Sequence, residues 1–262
     1  MRRSTAARLA WRGFSIVFAS VGYGETRWLI DIVLVHGTTQ APIGWSRLVD
    51  ALERFGHSCH VVDMCSVPSD LSASGFARAV AGQVNVLRPI VVAHSGSGLL
   101  LGAITEVLDA HHQVFLAASV PDGRHSLMDE VRDHAAEMFN PAWLGKDPVG
   151  DLSVAREFLF HDCDEETTEW ALTTLRLFHP STVYEEVVPL DTKTPATVIV
   201  PSEDRTICAD WIETTAVQRL GVTATVIGGG HCPHVSQPDE IAAIIDGIVT
   251  RESDHWTCRH RD

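Results

Sequence analysis

The sequence has few basic residues and no long apolar segments. Lysine and arginine together number 20 against 34 aspartates and glutamates, which gives a formal net charge of −14. Such a charge disfavours nucleic acid or an anionic membrane as the main partner. No apolar run is long enough to cross a bilayer. We therefore expect neither a nucleic-acid partner nor a membrane partner.

The sequence also lacks paired cysteines. Its six cysteines show no C-x-x-C spacing; they are Cys59, Cys65, Cys163, Cys208, Cys232 and Cys258. Scattered thiols are typical of a protein that stays in a reducing compartment. We predict free thiols and a cytoplasmic location, and we expect no cofactor. There are no internal repeats and no low-complexity tracts.

Residues 1–29 form a segment distinct from the rest of the chain. Several arginines precede a short apolar patch at residues 14–21. This arrangement resembles an export signal, but the patch is short and no Ala-x-Ala cleavage site follows it. Three interpretations remain open: a poorly ordered extension, a weak export signal, or a start codon assigned too far upstream. We favour a poorly ordered extension, with export as the alternative to a cytoplasmic location.

From residue 30 onward, apolar periodicity alternates between strand and helix patterns. Predicted strands cover residues 30–35, 59–64, 90–93, 114–118, 196–200 and 222–227, and predicted helices cover residues 45–55, 76–87, 99–108, 209–220 and 238–249. This alternation predicts a parallel sheet with helices on both faces. The α/β core would comprise residues 30–120 and 194–250, followed by a polar tail over residues 251–262.

The alternation stops over residues 121–193, where helical patterns occur without a convincing strand. A segment of this length is too long for a plain loop, and it predicts a helical cap over a cleft. The cap is rich in leucine and phenylalanine and contains Trp143. We expect these side chains to shape an apolar pocket for an acyl or alcohol group.

A sharp strand-to-helix turn is predicted at Ala93-His94-Ser95-Gly96-Ser97. A buried strand precedes it and an apolar helical pattern follows it. The usual nucleophile elbow reads Gly-x-Ser-x-Gly, and it exposes a serine hydroxyl at the carboxyl edge of a sheet. Here Ala93 and Ser97 replace the two glycines, and both are small enough for the turn. The spacing therefore predicts Ser95 as a nucleophile.

A serine nucleophile needs a base, and the base needs an acid to orient it. His231 follows a predicted strand through three glycines, and Asp204 follows the strand before that one. The chain order Ser95, Asp204, His231 is the order that such an elbow architecture requires. Glu203 and, more weakly, Asp122 remain rival candidates for the acid.

Acyl transfer also needs two N–H groups aimed at the developing oxyanion. One is expected from Gly96, the residue after the nucleophile. The other is expected from Thr38, in the His-Gly-Thr loop that follows the first predicted strand. Gly37 would let this part of the backbone approach a substrate closely.

Other histidines receive structural interpretations. His231, Cys232 and His234 resemble a metal-binding pattern, but no second ligand pair at zinc spacing accompanies them. The stretch 161–164 of the cap, His-Asp-Cys-Asp, is interpreted as a solvated helix start. His94, beside the nucleophile, is expected to pack within the elbow. We therefore expect no metal site.

Four stretches carry a resemblance to a known family: Leu34-Val35-His36-Gly37, Ala93-His94-Ser95-Gly96, Leu159-Phe160-His161-Asp162-Cys163 and Gly229-Gly230-His231-Cys232-Pro233-His234. With these stretches, residues 30–250 resemble an α/β-hydrolase, and within that superfamily the small branch of plant methylesterases, hydroxynitrile lyases and related bacterial esterases. The resemblance implies a mostly parallel sheet with helices on both faces and a helical cap inserted after the sixth strand. It also implies Ser95, Asp204 and His231 as the triad, with Thr38 and Gly96 as oxyanion donors.

The resemblance favours ester hydrolysis over the other reactions of the superfamily. The lyases of the branch carry threonine where Gly37 stands and lysine where Cys232 stands. Dehalogenases and epoxide hydrolases place an aspartate at the elbow, so Ser95 excludes that chemistry. We predict a serine hydrolase that acts on a small carboxylic ester. A homodimer is the assembly that we consider for it. The alternatives are a thioesterase or lactonase with the same triad, and a slow-turnover ligand-binding protein on the same fold.

Overall fold

The computed structural model describes the backbone of residues 7–11, 14–21, 25–27 and 29–259, and the side chains of residues 29–251. Near the amino terminus, β1 (Ala7–Trp11), β2 (Phe14–Val21) and β3 (Glu25–Arg27) pair antiparallel in a sheet of their own. The expectation that residues 1–29 are poorly ordered falls partly outside the described residues and stays a prediction.

Six parallel strands form the main sheet, as the strand–helix alternation predicts. They are β4 (Asp31–Val35), β5 (Ser58–Val62), β6 (Ile90–His94), β7 (His112–Leu116), β8 (Ala196–Pro201) and β9 (Thr225–Ile227). Their order across the sheet is β5-β4-β6-β7-β8-β9. The direction in which successive strands are added therefore reverses between β4 and β6. In open α/β sheets, ligands bind outside the carboxyl ends of the strands at such a reversal.

Ten α-helices accompany the described strands. They are α1 (Ser46–Arg54), α2 (Ala73–Gln83), α3 (Leu101–Leu108), α4 (Leu127–Met138), α5 (Leu152–Phe158), α6 (Glu165–Leu172), α7 (Ser181–Glu185), α8 (Ala209–Thr215), α9 (Pro233–Ser236) and α10 (Pro238–Arg259). None of the helices in the described residues combines the length and the apolar character that a membrane span requires.

Alternate side chains of the central strands cover opposite faces of the sheet. In β4, Ile32 and Leu34 pack with α1 and α10, whereas Val33 and Val35 pack with α2, α3 and α8. All four side chains are completely buried. Because both faces of the sheet are buried, the strand sequences are continuous apolar runs and do not alternate between apolar and polar residues. Each such side chain contributes roughly 1.5–3 kcal/mol through burial.

Residues 121–193 contain α4, α5, α6 and α7 and no strand in the described structure, as expected for a cap. The insertion follows β7, which is the fourth strand of the main sheet, and not the sixth strand that the family resemblance implies. The serine Ser126 caps α4 with a reciprocal bond to Asp129, and Asp164 caps α6. The division of the chain into a core (residues 30–120 and 194–250), a cap (residues 121–193) and a tail (residues 251–262) stays a prediction.

Several predicted boundaries differ from the observed ones. The elbow continues as a 3₁₀ turn over Ser95–Leu100 before α3 begins, and α8 continues as a π-helical turn over Ala216–Leu220. Strand β9 is only three residues long, because residues 222–224 form a loop. Helix α10 extends ten residues beyond Val249, where the prediction ended it, into the expected tail. These differences lie at element ends, where hydrophobic periodicity carries least information.

Two helical glycines give a matched test of this packing. A Cβ at Gly102 of α3 would overlap the carbonyl oxygen of Pro189, on the segment returning from the cap, whereas a Cβ at Gly82 of α2 would meet nothing within 4 Å. We expect Gly82→Ala to raise the free energy of unfolding by about 0.5–1 kcal/mol, because alanine loses less backbone entropy. We expect Gly102→Ala to lower it by about 1–3 kcal/mol through overpacking. Urea unfolding of both variants measures the two signs, and equal effects would contradict the described contact.

Candidate active site

Four loops meet at the carboxyl edge of the main sheet. They follow β4, β6, β8 and β9, and they carry residues 36–40, Ser95, Asp204 and His231 respectively. Because all six strands are parallel, residues far apart in sequence reach the same edge. The loops after β4 and β6 flank the reversal of strand order, where a ligand site is expected.

Ser95 occupies the tip of the turn in a conformation that side chains rarely adopt. Its φ angle is +56°, in the left-handed region. For a non-glycine residue this conformation costs on the order of 1–2 kcal/mol. Such strain persists only where the surrounding structure enforces it. The turn therefore matches the elbow that the sequence predicts.

Three contacts hold the Ser95 turn in place. The Ser97 hydroxyl donates a 2.6 Å hydrogen bond to the His36 carbonyl, and the Ser119 N–H donates a 3.2 Å bond to the Ser95 carbonyl. At Gly98, a Cβ would overlap the carbonyl oxygen of Ser119. Ser97 is therefore more than a small substitute for glycine, since its hydroxyl ties the elbow to the loop after β4.

His231 links the loops after β6 and β8. Its Nε2 lies 2.9 Å from Ser95 Oγ, and its Nδ1 lies 2.7 Å from Asp204 Oδ2. The carboxylate accepts the Nδ1 proton, which leaves the Nε2 lone pair facing the serine hydroxyl. The structure thus brings Ser95, His231 and Asp204 into one hydrogen-bonded chain.

The Asp204 side chain is fully buried and is oriented by its own turn. Its Oδ1 accepts hydrogen bonds from the N–H groups of Thr206 (2.7 Å) and Ile207 (3.1 Å) and from the Thr206 hydroxyl (3.0 Å). The same hydroxyl lies 2.8 Å from His231 Nδ1. Thr206 therefore touches both partners, although nothing in the sequence analysis singled it out. Its position two residues after an aspartate in a turn was the available signal.

The rival acids lie elsewhere. Glu203 is exposed, and its N–H donates to the Gly229 carbonyl. Asp122 accepts bonds from the Arg124 and His125 N–H groups and pairs with the His125 ring. Burial alone would raise the pKa of Asp122, but these hydrogen bonds lower it to about 2. Neither carboxylate contacts His231 in the described structure, whereas Asp204 does.

The loop after β4 packs directly against the elbow. A Cβ at Gly37 would lie 2.6 Å from His94 Nδ1 and 3.0 Å from Ser95 Cβ, so only glycine fits there. A Cβ at Gly96 would lie 2.9 Å from Thr38 Cγ2. The loop and turn hydrogen bonds of the described residues include none donated by the Thr38 or Gly96 N–H. The two predicted oxyanion donors therefore lie side by side next to Ser95.

The cap holds this loop from the other side. The Thr38 carbonyl accepts a 2.7 Å bond from the Phe178 N–H, and the Ala41 N–H donates a 2.8 Å bond to the Thr174 carbonyl. Gln40 and Leu175 form an antiparallel bridge between the same segments. The cap thereby fixes the backbone of the loop that carries Thr38.

Three further histidines surround the loops and stay neutral. The Met64 N–H donates to His36 Nε2, so the His36 Nδ1 proton is directed to the Gly37 carbonyl. His94 Nε2 donates to the His231 carbonyl, and His234 Nε2 donates to Gln40 Oε1. His94 therefore packs within the elbow, as expected, and also holds the backbone of His231.

Burial suppresses the charge on these rings. It is the largest cause that lowers the pKa of His36, that lowers the pKa of His94 well below its usual value, and that lowers the pKa of His234 to about 3. The neighbouring His231 lowers the pKa of His94 and His234 further. Ring centroids of His94 and His231 lie 4.8 Å apart, so a charged His94 would repel an imidazolium at His231. Neutral His94 and His234 therefore add no positive charge beside His231.

The stretch 161–164 leads into a helix, as the sequence interpretation has it, since the exposed Asp164 caps α6. The residues before Asp164 are only partly exposed, and two of them contact other loops. His161 Nε2 donates to the Glu203 carbonyl, and Asp162 Oδ2 accepts from the Gly230 N–H. A Cβ at Gly230 would lie 2.7 Å from His161 Nε2. The glycines before His231 therefore admit the cap side chains rather than only adding flexibility.

One cluster in the described residues has the donor types of a metal site: His36, Asp63 and Cys65, with donor atoms within 4.8 Å of one another. His36 Nε2 already accepts the Met64 N–H, which opposes metal binding there. His231 and His234 do not belong to this cluster. A separate surface groove of about 780 Å³ lies between α4 and α8 and includes none of Ser95, Asp204 and His231.

Comparisons with known proteins agree with this architecture. The sequence pattern of the alpha/beta hydrolase family matches residues 32–244. No curated protein matches the chain. Among solved structures, the chain is similar to polyneuridine aldehyde esterase, with a TM-score of 0.68 and 18% identity over 84% of this chain and 99% of that one.

The chain is also similar to two other solved hydrolase structures, one bacterial and one from a plant. A pyrethroid hydrolase from Sphingobium faniae JZ-2 has a TM-score of 0.66 and 16% identity, covering 86% of this chain and 99% of its own. A methylesterase from Arabidopsis has a TM-score of 0.63 and 17% identity, covering 84% of this chain and 99% of its own. At these identities the likeness concerns the fold, and it confirms the predicted α/β-hydrolase architecture.

The buried neutral His234 predicts how stability depends on pH. In the folded state its pKa is about 3, whereas an unfolded histidine takes up a proton below about pH 6.5. Between these values the unfolded state binds more protons, so the free energy of unfolding falls as the pH falls. We expect His234→Gln, which keeps a donor for Gln40, to lose less stability than the wild type between about pH 7.5 and 5.5. His134→Gln, at an exposed histidine, is the control. Urea unfolding of both variants at the two pH values measures the loss of stability, and equal losses in the two variants would contradict this account.

Proposed function

Because this chain belongs to the alpha/beta hydrolase family, we propose that it is a serine hydrolase that cleaves a small carboxylic ester through an acyl-enzyme. Ser95 is the nucleophile, His231 the general base and acid, and Asp204 the acid that orients His231. The N–H groups of Thr38 and Gly96 form the oxyanion hole. Location in the cytoplasm and a homodimeric state stay predictions.

The observation that carries the proposal is the hydrogen-bonded chain from Asp204 through His231 to Ser95. Both imidazole nitrogens of His231 are hydrogen-bonded, Nδ1 to Asp204 at 2.7 Å and Nε2 to Ser95 at 2.9 Å. The chain ends on the one residue of the turn with a left-handed backbone, which presents its hydroxyl at the sheet edge. A serine held this way has a base within hydrogen-bond reach, as nucleophilic catalysis requires.

Acylation follows from these contacts. Ser95 Oγ attacks the ester carbonyl carbon while His231 Nε2 takes the hydroxyl proton. The carbonyl oxygen becomes an oxyanion, which accepts hydrogen bonds from the Thr38 and Gly96 N–H groups. When the C–O bond to the alcohol breaks, His231 returns the proton to the alcohol oxygen, and the acyl group stays on Ser95.

Deacylation repeats the steps with water. His231 Nε2 takes a proton from a water molecule, whose oxygen attacks the acyl carbon through a second oxyanion. The bond to Ser95 Oγ then breaks, and His231 returns the proton to that oxygen. During both steps Asp204 and the Thr206 hydroxyl hold Nδ1, so that the imidazole keeps its orientation.

The nucleophile is tested by Ser95→Ala. We expect a loss of roughly 10³-fold or more in kcat with p-nitrophenyl acetate, by analogy with triad knockouts. A fluorophosphonate should label the wild type at Ser95 and leave the variant unlabelled. Retention of near wild-type turnover in the variant would contradict the elbow assignment. A wild type that is labelled but turns over no ester would favour a slow ligand-binding protein.

Ester and thioester substrates of matched acyl length distinguish the remaining alternatives, together with a lactone series. All three substrates use the same triad, so their relative kcat/KM values report the pocket and not the mechanism. We expect small carboxylic esters to be the best substrates. A clear preference for thioesters or lactones would keep the triad and change the substrate class.

The acid is tested by a matched pair of adjacent carboxylates. Asp204→Asn should lower kcat by on the order of 10⁴-fold, because the amide favours the wrong tautomer of the base. Glu203→Gln should change kcat by less than about threefold, because its exposed side chain makes no contact with His231. Steady-state kinetics of both variants, with thermal unfolding to check the fold, measure the contrast. Small and equal losses would exclude Asp204 as the acid.

A further inference from the structure

Tyr184, on the cap helix α7, lies beside the proposed oxyanion hole. A Cβ at Gly96 would lie 3.6 Å from the Tyr184 hydroxyl and 2.9 Å from Thr38 Cγ2. Both side chains therefore face the residue that follows the nucleophile. The phenol ring packs against the buried cluster of the sheet and edge-on to His179, with ring centroids 5.2 Å apart. This packing fixes the direction of the hydroxyl.

Together, the hydroxyls of Thr38 and Tyr184 keep one O–H group available to donate a hydrogen bond to a third oxygen. The Thr38 side chain interacts with the Tyr184 hydroxyl and opposes the burial that raises the pKa of Tyr184 to about 12, so the phenol stays protonated. Two adjacent hydroxyls carry two protons, and a bond between them uses at most one. Among the side-chain hydrogen bonds described for residues 29–251, no carbonyl or carboxylate accepts from either hydroxyl.

We propose that the Tyr184 hydroxyl, paired with Thr38, donates a hydrogen bond to the substrate oxygen that becomes negatively charged when Ser95 attacks. This inference rests on the proposed hydrolase function and adds a cap side chain to two backbone donors. Tyr184 is then a catalytic residue in the sense that it touches the reacting oxygen. A neutral donor that is already oriented binds the oxyanion more strongly than the uncharged carbonyl.

The test compares Tyr184→Phe with Thr182→Val. The first variant removes only the phenol oxygen and keeps the ring. The second removes a hydroxyl from the same helix, where it donates a 2.9 Å bond to the Asp70 carbonyl, away from Ser95. We expect Tyr184→Phe to lower kcat for p-nitrophenyl acetate by about 10–10²-fold with little change in KM. Thr182→Val should leave both constants within about twofold.

A transition-state analogue separates catalysis from packing. A trifluoromethyl ketone forms a hemiketal with Ser95 whose charged oxygen occupies the hole. Its affinity should fall in Tyr184→Phe by the same factor as kcat/KM, while affinity for the neutral alcohol analogue stays unchanged. If Tyr184 is only structural, both affinities and the melting temperature fall together, and the proposal is wrong.

A double-variant cycle gives the second arm. Thr38→Val keeps the backbone N–H and removes the hydroxyl, so its loss and that of Tyr184→Phe should be less than additive, because the two hydroxyls act as a pair. Additive losses would overturn the pairing. If wild-type protein neither hydrolyses esters nor reacts with fluorophosphonate at Ser95, the proposed function itself fails. Wild-type turnover with unchanged kinetics in Tyr184→Phe overturns only the role of Tyr184.

Discussion

The strained backbone at Ser95 is the constraint on which the site depends. A left-handed serine at the end of β6 would relax if its neighbours allowed it, and three neighbours prevent this. Ser97 bonds the loop after β4, Ser119 bonds the Ser95 carbonyl, and Gly98 lets the loop after β7 approach. Contacts between the loops that follow adjacent parallel strands offset the cost of this conformation. The order of the strands in the sheet therefore determines where the Ser95 hydroxyl lies.

Burial gives the site its electrostatic character. The His94 ring lies 4.8 Å from the His231 ring and 4.6 Å from the His234 ring, and desolvation keeps His94 and His234 neutral. The negative charge that His231 meets comes from Asp204, whose carboxylate already accepts two backbone N–H bonds and one hydroxyl bond. His231 therefore lies between one carboxylate and two neutral rings. The same desolvation lowers the free energy of unfolding in acid, because histidines of the unfolded chain take up protons that His94 and His234 do not.

Sequence analysis predicted the parts of this arrangement that depend on strand ends and missed those that depend on tertiary contact. Ser95, Asp204 and His231 each follow a buried strand, so the parallel sheet alone brings them to one edge, where the structure places them in contact. Thr206 and Tyr184 follow no such rule, because one lies within a turn and the other on a cap helix. The contacts of His161 and Asp162 with the loops of Asp204 and His231 could not be predicted either. Hydrophobic periodicity indicates the secondary structure of a segment but not which other segment it contacts.

The cap is part of the architecture of the site and not only a cover over it. Residues 174–178 pair with the loop that carries Thr38, His161 bonds the loop of Asp204, and Asp162 bonds the loop of His231. Each of these contacts reaches backbone atoms, so each fixes a loop position and not merely a side-chain rotamer. Under the proposed function, the cap therefore couples substrate selection to the geometry of the site. A substitution in the cap that alters the pocket therefore also displaces a loop that carries a proposed catalytic residue. The effect on the pocket and the effect on the loop can be separated only where the substitution removes a side-chain atom that contacts none of these loops.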